Sequence, residues 1–496
     1  MSAPDSPTVR KPSFGAGILG SAVERMSKND IKPSARKPSI DPARLGGMHA
    51  LTPSAQLVKE MQTMNLKGHY NVLFIGAGVS FLPPHHVQHF HISLDDHSVR
   101  LEHKLQTRLR VVGIVDPAIN RAKEVINVKC ATFVALAYKD ARLCKDLDEF
   151  AKLATPAEYP HAIVIGSPAQ FHGSNLPGQD LELQCLKHFP GAALFVEKPI
   201  SCAPVEACYA LADILEQKKQ VVSVGYMLRY LQVYFLPPAQ ACWRSQLTSR
   251  PPLFFWKVIQ QMQRIIAETG KPVMMVVARY VCSYAKINSE VWWNKSKSLG
   301  PIVEQGTHLV DLCRYFGGEA LLDTVQATST EHYEEAGKLE MIPIDESKIP
   351  VEHRVPRTTS AIWKFDTGAI CSFSHALTLQ GTKYSTELEV YLDGWQMKVV
   401  DLYNEPTLFV RSPEADAEQK INFPSDDPYF SEISAWIDAS ESRESNNESA
   451  IAEDDESEIP NGILSSFRDS CGTYALTWAI KEASERALKT AAKPTK

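Results

Sequence analysis

Lys198 stands where the apolar run from Ala192 to Val196 gives way to Pro199. A strand that ends there holds the ammonium at the carboxyl edge of a sheet, the edge at which open α/β folds bind ligands. Glu304, His308 and Asp311 lie further along at helical spacings of four and three, so one helix face can carry all three. Lysine, histidine and carboxylate are the groups needed to move a proton while a hydride moves elsewhere. Partial desolvation beside Val196 and Pro199 suits an amine to that exchange, and a carboxylate one turn from His308 can fix the imidazole tautomer. The competing readings are ordinary ones: a surface lysine after an edge strand, and a packed, hydrogen-bonded helical histidine. Trp292 and Trp293 precede the second group and fit a core or a pocket wall equally well.

A second set of residues has the chemistry of dinucleotide binding. Asn71 to Ile75 is a short apolar run that ends in Gly76-Ala77-Gly78. Such glycines let the backbone turn tightly against a pyrophosphate at the amino end of the next helix. Phe81 stands where a third glycine or an alanine is usual, and Pro83-Pro84 follow. Asp116 ends the next strand, where a carboxylate can accept the hydroxyls of an adenosine ribose and disfavour the extra phosphate of NADP. NAD is therefore the expected cofactor, with NADP as the alternative. The spacing to Asp116 exceeds the usual ~20 residues, which implies an insertion. That insertion contains His85, His86, His89 and His91; without a cysteine or carboxylate pattern, a surface loop is expected there and no metal site.

These groups need elements to hold them. Strands are expected at 71–75, 110–115, 161–165, 193–196 and 221–224, with helices at 118–128, 181–188 and 204–218 between them. Alternation of that kind means a parallel, doubly wound sheet. Beyond residue 235 the pattern predicts a helix over 239–268, then strands at 273–285, 324–330, 360–365, 369–375, 385–392 and 396–400. Consecutive strands suggest a second, mainly antiparallel sheet. The expected divisions are a disordered extension over 1–68, a first domain over 69–230 and a second over 231–490. Within the second, 441–460 reads as an acidic loop, and 462–487 as a closing helix.

Composition narrows the function classes. The chain has 496 residues, too many for one ordinary core. A net charge of −6 argues against a general nucleic-acid binder, and no apolar stretch approaches the ~18 residues of a membrane span. Ten scattered cysteines without a Cys-x-x-Cys pair suggest thiols in a reducing compartment. The amino terminus faintly resembles a mitochondrial presequence, but Asp5, Glu24 and Asp30 weaken that, and the cytosol is expected.

Taken together, Gly76-Ala77-Gly78, Ser167-Pro168 through His172, Glu197-Lys198-Pro199, Gly225 through Arg229 and Gly306-Thr307-His308 through Asp311 resemble the Gfo/Idh/MocA family. That is the family of glucose–fructose oxidoreductase and inositol dehydrogenase. The resemblance runs from about Tyr70 to the carboxyl end. It implies a Rossmann domain followed by an α/β domain with an open sheet that often forms a dimer or tetramer interface. It also implies that Lys198 and His308 are catalytic, with Glu304 where many members have aspartate. Gly76, Gly78, Asp116, Ser167, Pro168, His172 and Glu197 would face the cofactor. Tyr226, Arg229, Trp293 and Asp311 would face the substrate, a secondary alcohol or its ketone such as a sugar, polyol or secondary metabolite. Reduction of a carbon–carbon or imine double bond would use the same groups. The rival expectation is a non-catalytic dinucleotide-binding regulator of the same fold.

Overall fold

The computed structural model describes residues 68–78, 94–231, 258–422, 427–448 and 462–491, all within one compact unit, Gln62–Lys496. The extension over 1–67, the histidine-rich insertion and the first part of the 239–268 helix lie outside the described residues.

Strand β1 (Tyr70–Ile75) is buried at every position. Helix α1 (Leu94–Leu105), β2 (Leu109–Val115), α2 (Ile119–Cys130), β3 (Arg142–Cys144), α3 (Leu147–Leu153), β4 (Ala162–Ile165), α4 (Leu181–His188), β5 (Ala193–Val196), α5 (Val205–Gln217) and β6 (Val222–Val224) follow. The strands pair in parallel in the order β3-β2-β1-β4-β5-β6. Helices cover both faces of such a sheet, which is why runs such as Ala193–Val196 are apolar at each residue. The order reverses between β1 and β4, and that switch point opens a crevice at the strands' carboxyl ends.

Helix α6 (Val258–Thr269) leads into the second sheet, β7 (Val273–Ser283). Helix α7 (Thr307–Gly317) and strands β8 (Ala320–Thr330), β9 (Thr358–Phe365), β10 (Ile370–Leu379), β11 (Ser385–Leu392), β12 (Trp395–Val400), β13 (Thr407–Ser412) and β14 (Ala415–Asn422) complete it. The order is β14-β13-β12-β11-β7-β10-β9-β8, antiparallel apart from the parallel β7–β10 pair. Burial alternates along β9, β10 and β11, so one face packs on α7 and the other is open.

The carboxyl-terminal region differs from the expected single second domain. Helix α8 (Pro428–Glu448) returns to the first sheet, burying Ile433, Trp436 and Ile437 in the core that holds Tyr70, Val72 and Phe195. Residues 441–448 are thus helix, not the expected acidic loop, because Glu441 pairs with Arg108 and Ser440 takes the Tyr70 hydroxyl at 2.6 Å. The remainder of that loop, 449–460, lies outside the described residues. Helix α9 (Phe467–Ala491) joins the two cores. Its Phe467, Cys471 and Tyr474 enter the first, and Leu476, Ile480 and Ala483 the second. No helix among the described residues is long and apolar enough to cross a membrane.

Candidate active site

Val196 is fully buried at the end of β5, and the chain leaves the sheet edge through Glu197, Lys198 and a cis Lys198–Pro199 peptide. The Lys198 ammonium donates to the backbone carbonyl of Glu304 at 2.8 Å and lies 3.2 Å from its carboxylate Oε1. The other carboxylate oxygen, Oε2, accepts the Trp292 indole N–H at 2.9 Å. Glu304 is therefore held at both oxygens, and the Lys198 side chain is only 13% exposed. Charge-assisted bonds in so dry a place fix geometry strongly.

Residues Ile302–Gly306 form a π-helical turn ahead of α7. The wider turn tilts carbonyls outward and often marks functional positions; here the Glu304 carbonyl is the one that meets Lys198. Gly306 allows this because an added Cβ would come within 3.3 Å of the buried Phe373 ring. His308, one turn on, is 6% exposed, and its Nδ1 has no hydrogen-bond partner among the described residues. Burial and then the Lys198 charge hold its pKa well below the usual imidazole value, so the ring is neutral. Tyr226 and Tyr403 present ring edges to it at 6.1 and 6.4 Å. The site thus couples a lysine ammonium paired with a carboxylate to a neutral, desolvated imidazole.

The expected substrate residues are placed differently. Asp311 does not reach for His308: its oxygens accept the Arg229 guanidinium at 2.6 and 2.7 Å and the Thr473 hydroxyl at 2.8 Å. Arg229, in the turn Met227–Tyr230, also bonds the Leu464 carbonyl and pairs with Asp469, so both residues are committed to a buried ion-pair network that ties this turn to α7 and α9. Trp293 is wholly buried, with its indole N–H on the Ile287 carbonyl and the Arg357 guanidinium over its ring. Its neighbour Trp292 is the tryptophan that reaches the site. Tyr226 is buried beside His308, and its hydroxyl pairs with that of Thr307 at 2.9 Å.

On the cofactor side, Gly76 has φ +96°, and a Cβ there would stand 2.8 Å from the Gly166 backbone. Only glycine lets β1 turn so close to the end of β4. Gly78 also has a positive φ, of 73°. Asp116 sits at the end of β2, but both its oxygens accept backbone amides, Ala77 N–H and Ala118 N–H, each at 2.7 Å. The carboxylate expected on the ribose is 4% exposed and shapes the glycine loop from within, because the turn's amides reach it first. Arg121 lies 3.7 Å from it. Pro168 is exposed at the same edge, and the Ser167 hydroxyl is buried there without a partner among the described residues. The Ser167 carbonyl meets His172 Nε2 at 3.1 Å, and buried Glu182 takes the Gly173 amide on both oxygens. Glycine-lined backbone and an unsatisfied hydroxyl at the switch point fit a dinucleotide. Glu197 turns away from that crevice, toward His97 and the Lys198 amide.

Several site residues escaped the sequence reading. Gln305 bonds His375 of β10 at 2.8 Å and the Cys282 thiol of β7 at 3.4 Å, pinning the π turn to the sheet. Tyr280, Tyr384 and Tyr403 pack around one another on the same face. Alternation places Tyr280 and Cys282 on one face of β7, but nothing local brings Tyr403 beside His308.

Comparison with known proteins agrees with this fold. Residues 70–226 match the oxidoreductase family with an NAD-binding Rossmann fold (Gfo/Idh/MocA), and residues 254–395 match an oxidoreductase C-terminal domain. The chain belongs to the Gfo/Idh/MocA oxidoreductases. Two uncharacterized proteins of Schizosaccharomyces pombe are similar to it. One is 37% identical over 416 residues, covering 83% of this chain and 96% of its own length. The other is 40% identical over 390 residues, covering 78% and 86%. Among solved structures, UDP-N-acetylglucosamine 3-dehydrogenase from Acidithiobacillus ferrooxidans has a similar fold (14% identity, TM-score 0.55, 85% of this chain and 99% of that one). So does the super-repressor mutant of Gal80p from Saccharomyces cerevisiae (13% identity, TM-score 0.56, 85% and 97%).

Proposed function

We propose that this protein transfers a hydride between a nicotinamide dinucleotide and a secondary alcohol or its ketone, a sugar, polyol or secondary metabolite. The observation that carries this reading is the Lys198–Glu304–Trp292 chain set beside a neutral His308. In the oxidising direction the free imidazole takes the hydroxyl proton, while the Lys198 ammonium donates a hydrogen bond to the same oxygen and lowers the cost of its developing charge. In reduction the proton returns along the same path. Glu304 keeps the ammonium aimed, and Trp292 keeps Glu304 aimed. When bound, the nicotinamide supplies the redox chemistry; Gly76, Gly78, Ser167 and Pro168 are the residues that would hold its dinucleotide, and His172, expected there, is buried behind the Ser167 carbonyl. Asp116 favours NAD by its charge, and Arg121 beside it is the group through which NADP would be tolerated.

The test is titration with NADH and with NADPH, followed by nicotinamide fluorescence, and then a turnover screen of polyols and ketones with wild type and Lys198→Ala. Selective NADH binding with turnover that Lys198→Ala abolishes is expected. Turnover within a few-fold of wild type in Lys198→Ala would discard the assignment. The likeness to a repressor, Gal80p, supports a second reading, a dinucleotide-responsive regulator; binding of NADH with no turnover of any substrate in the panel would favour it. The open face of the second sheet, with Met274, Ile362 and Ile370 more than half exposed, fits self-association as a dimer or tetramer.

A further inference from the structure

Next to Lys198, through Glu197, lies a buried polar cluster that the proposed reaction does not use. His97 of α1 is 2% exposed, with its ring edge-on to Phe195 of β5 at 4.9 Å. Its Nε2 bonds Glu197 Oε1. The other oxygen, Oε2, accepts the Lys198 backbone N–H at 3.1 Å. Gly225 makes room for this carboxylate, since a Cβ there would stand 3.1 Å from Oε2. A second buried carboxyl, Glu432 of α8, 1% exposed, has Oε1 without a partner among the described residues. Burial, and then the charge of Glu197, hold Glu432 well above the usual carboxyl range.

One carboxylate thus joins a helix of the first domain to the main chain of the lysine. We propose that His97 is a positioning residue for Lys198, acting through Glu197. Without a donor at His97, Glu197 would be a buried carboxylate facing a second carboxyl group. It would then turn outward to water, a change that releases the Lys198 amide. The freed main chain then loosens the ammonium from the Glu304 carbonyl and carboxylate. This inference rests on Lys198 as the proton-handling group.

The experiment needs no substrate. The full chain is treated with formaldehyde and cyanoborohydride at neutral pH, and the rate of Lys198 methylation is read by peptide mass spectrometry. His97→Leu fills the volume without a donor, whereas His97→Gln restores an N–H of similar reach. Methylation about tenfold faster in His97→Leu and near wild type in His97→Gln is expected, as for loss and rescue of one hydrogen bond to a charged group. Equal rates in the two variants, or rates equal to wild type in both, would overturn the proposal. If His97→Leu does not fold, Glu197→Met, which keeps the length but has no acceptor for the Lys198 amide, must give the fast rate. Unchanged turnover in Lys198→Ala would sink the catalytic reading and leave the methylation result standing, so the two failures are distinguishable.

Discussion

At the scale of the residue, the site works by opposing charges in a dry place. Lys198 is held by both the carbonyl and the carboxylate of Glu304, and that carboxylate has no freedom left because Trp292 takes its second oxygen. Removing the amine in Lys198→Ala should lower kcat by ~10²–10⁴-fold, the range for one acid–base group, with the NADH Kd unchanged. Trp292→Phe keeps the ring but drops the N–H, and about a tenfold loss in kcat is expected for one charged hydrogen bond. Because burial and Lys198 keep His308 neutral, the acid limb of kcat/KM for alcohol oxidation should fall below the ordinary imidazole value of ~6.5. A limb at that ordinary value in a pH–rate profile would mean that another group is the base.

At the scale of the element, the π turn and α7 decide which side chains share the site. Glu304, His308 and Asp311 have helical spacing, yet Asp311 belongs to a different set of contacts. The 227–230 turn and α9 flank α7, and Arg229 and Thr473 claim its carboxylate. That pair is structural. Breaking it in Asp311→Ala leaves the buried guanidinium with only Asp469 and the Leu464 carbonyl, and should cost about 3 kcal/mol in urea unfolding. Retained stability with selective loss of substrate affinity would return Asp311 to the substrate pocket. Strand β14 escaped the reading because its side chains are exposed almost throughout, so no alternation marks it. Helix α8 escaped because its buried Ile433, Trp436 and Ile437 are embedded in an acidic, serine-rich stretch.

Whole-molecule behaviour follows from how much imidazole is buried. His375, beneath the π turn, is depressed from 6.5 to about 4 by burial, and His161 and His308 are also lowered by burial. A depressed imidazole binds its proton more weakly folded than unfolded, so its contribution is complete above about pH 6.5 and is lost as pH falls toward the folded value. His375 alone accounts for about 3 kcal/mol over that window at 1.36 kcal/mol per unit. Unfolding free energy should therefore drop between pH 7 and pH 4.5, and His375→Gln, which can still donate to Gln305, should flatten the slope. A slope identical to wild type would assign the acid sensitivity elsewhere.

Much of this was legible in the chain itself. Fully apolar runs ending at Gly76, Asp116, Gly166, Lys198 and Gly225 dictate a parallel sheet, since only strands covered on both faces read that way, and they place Lys198 at its carboxyl edge. Glu304 and His308 were legible as a pair because four residues is one helical turn. What only the tertiary structure decided is the partner of each polar group. Hydrogen-bond partners depend on which elements pack together, and that is set by burial of apolar faces that carry no label for their mates. Asp116 met the Ala77 amide of the glycine loop, Asp311 met Arg229, Trp292 met Glu304, and Glu197 met a histidine a hundred residues upstream in the chain. Each is a long-range meeting of short-range chemistry, and no period within a single element could have announced it.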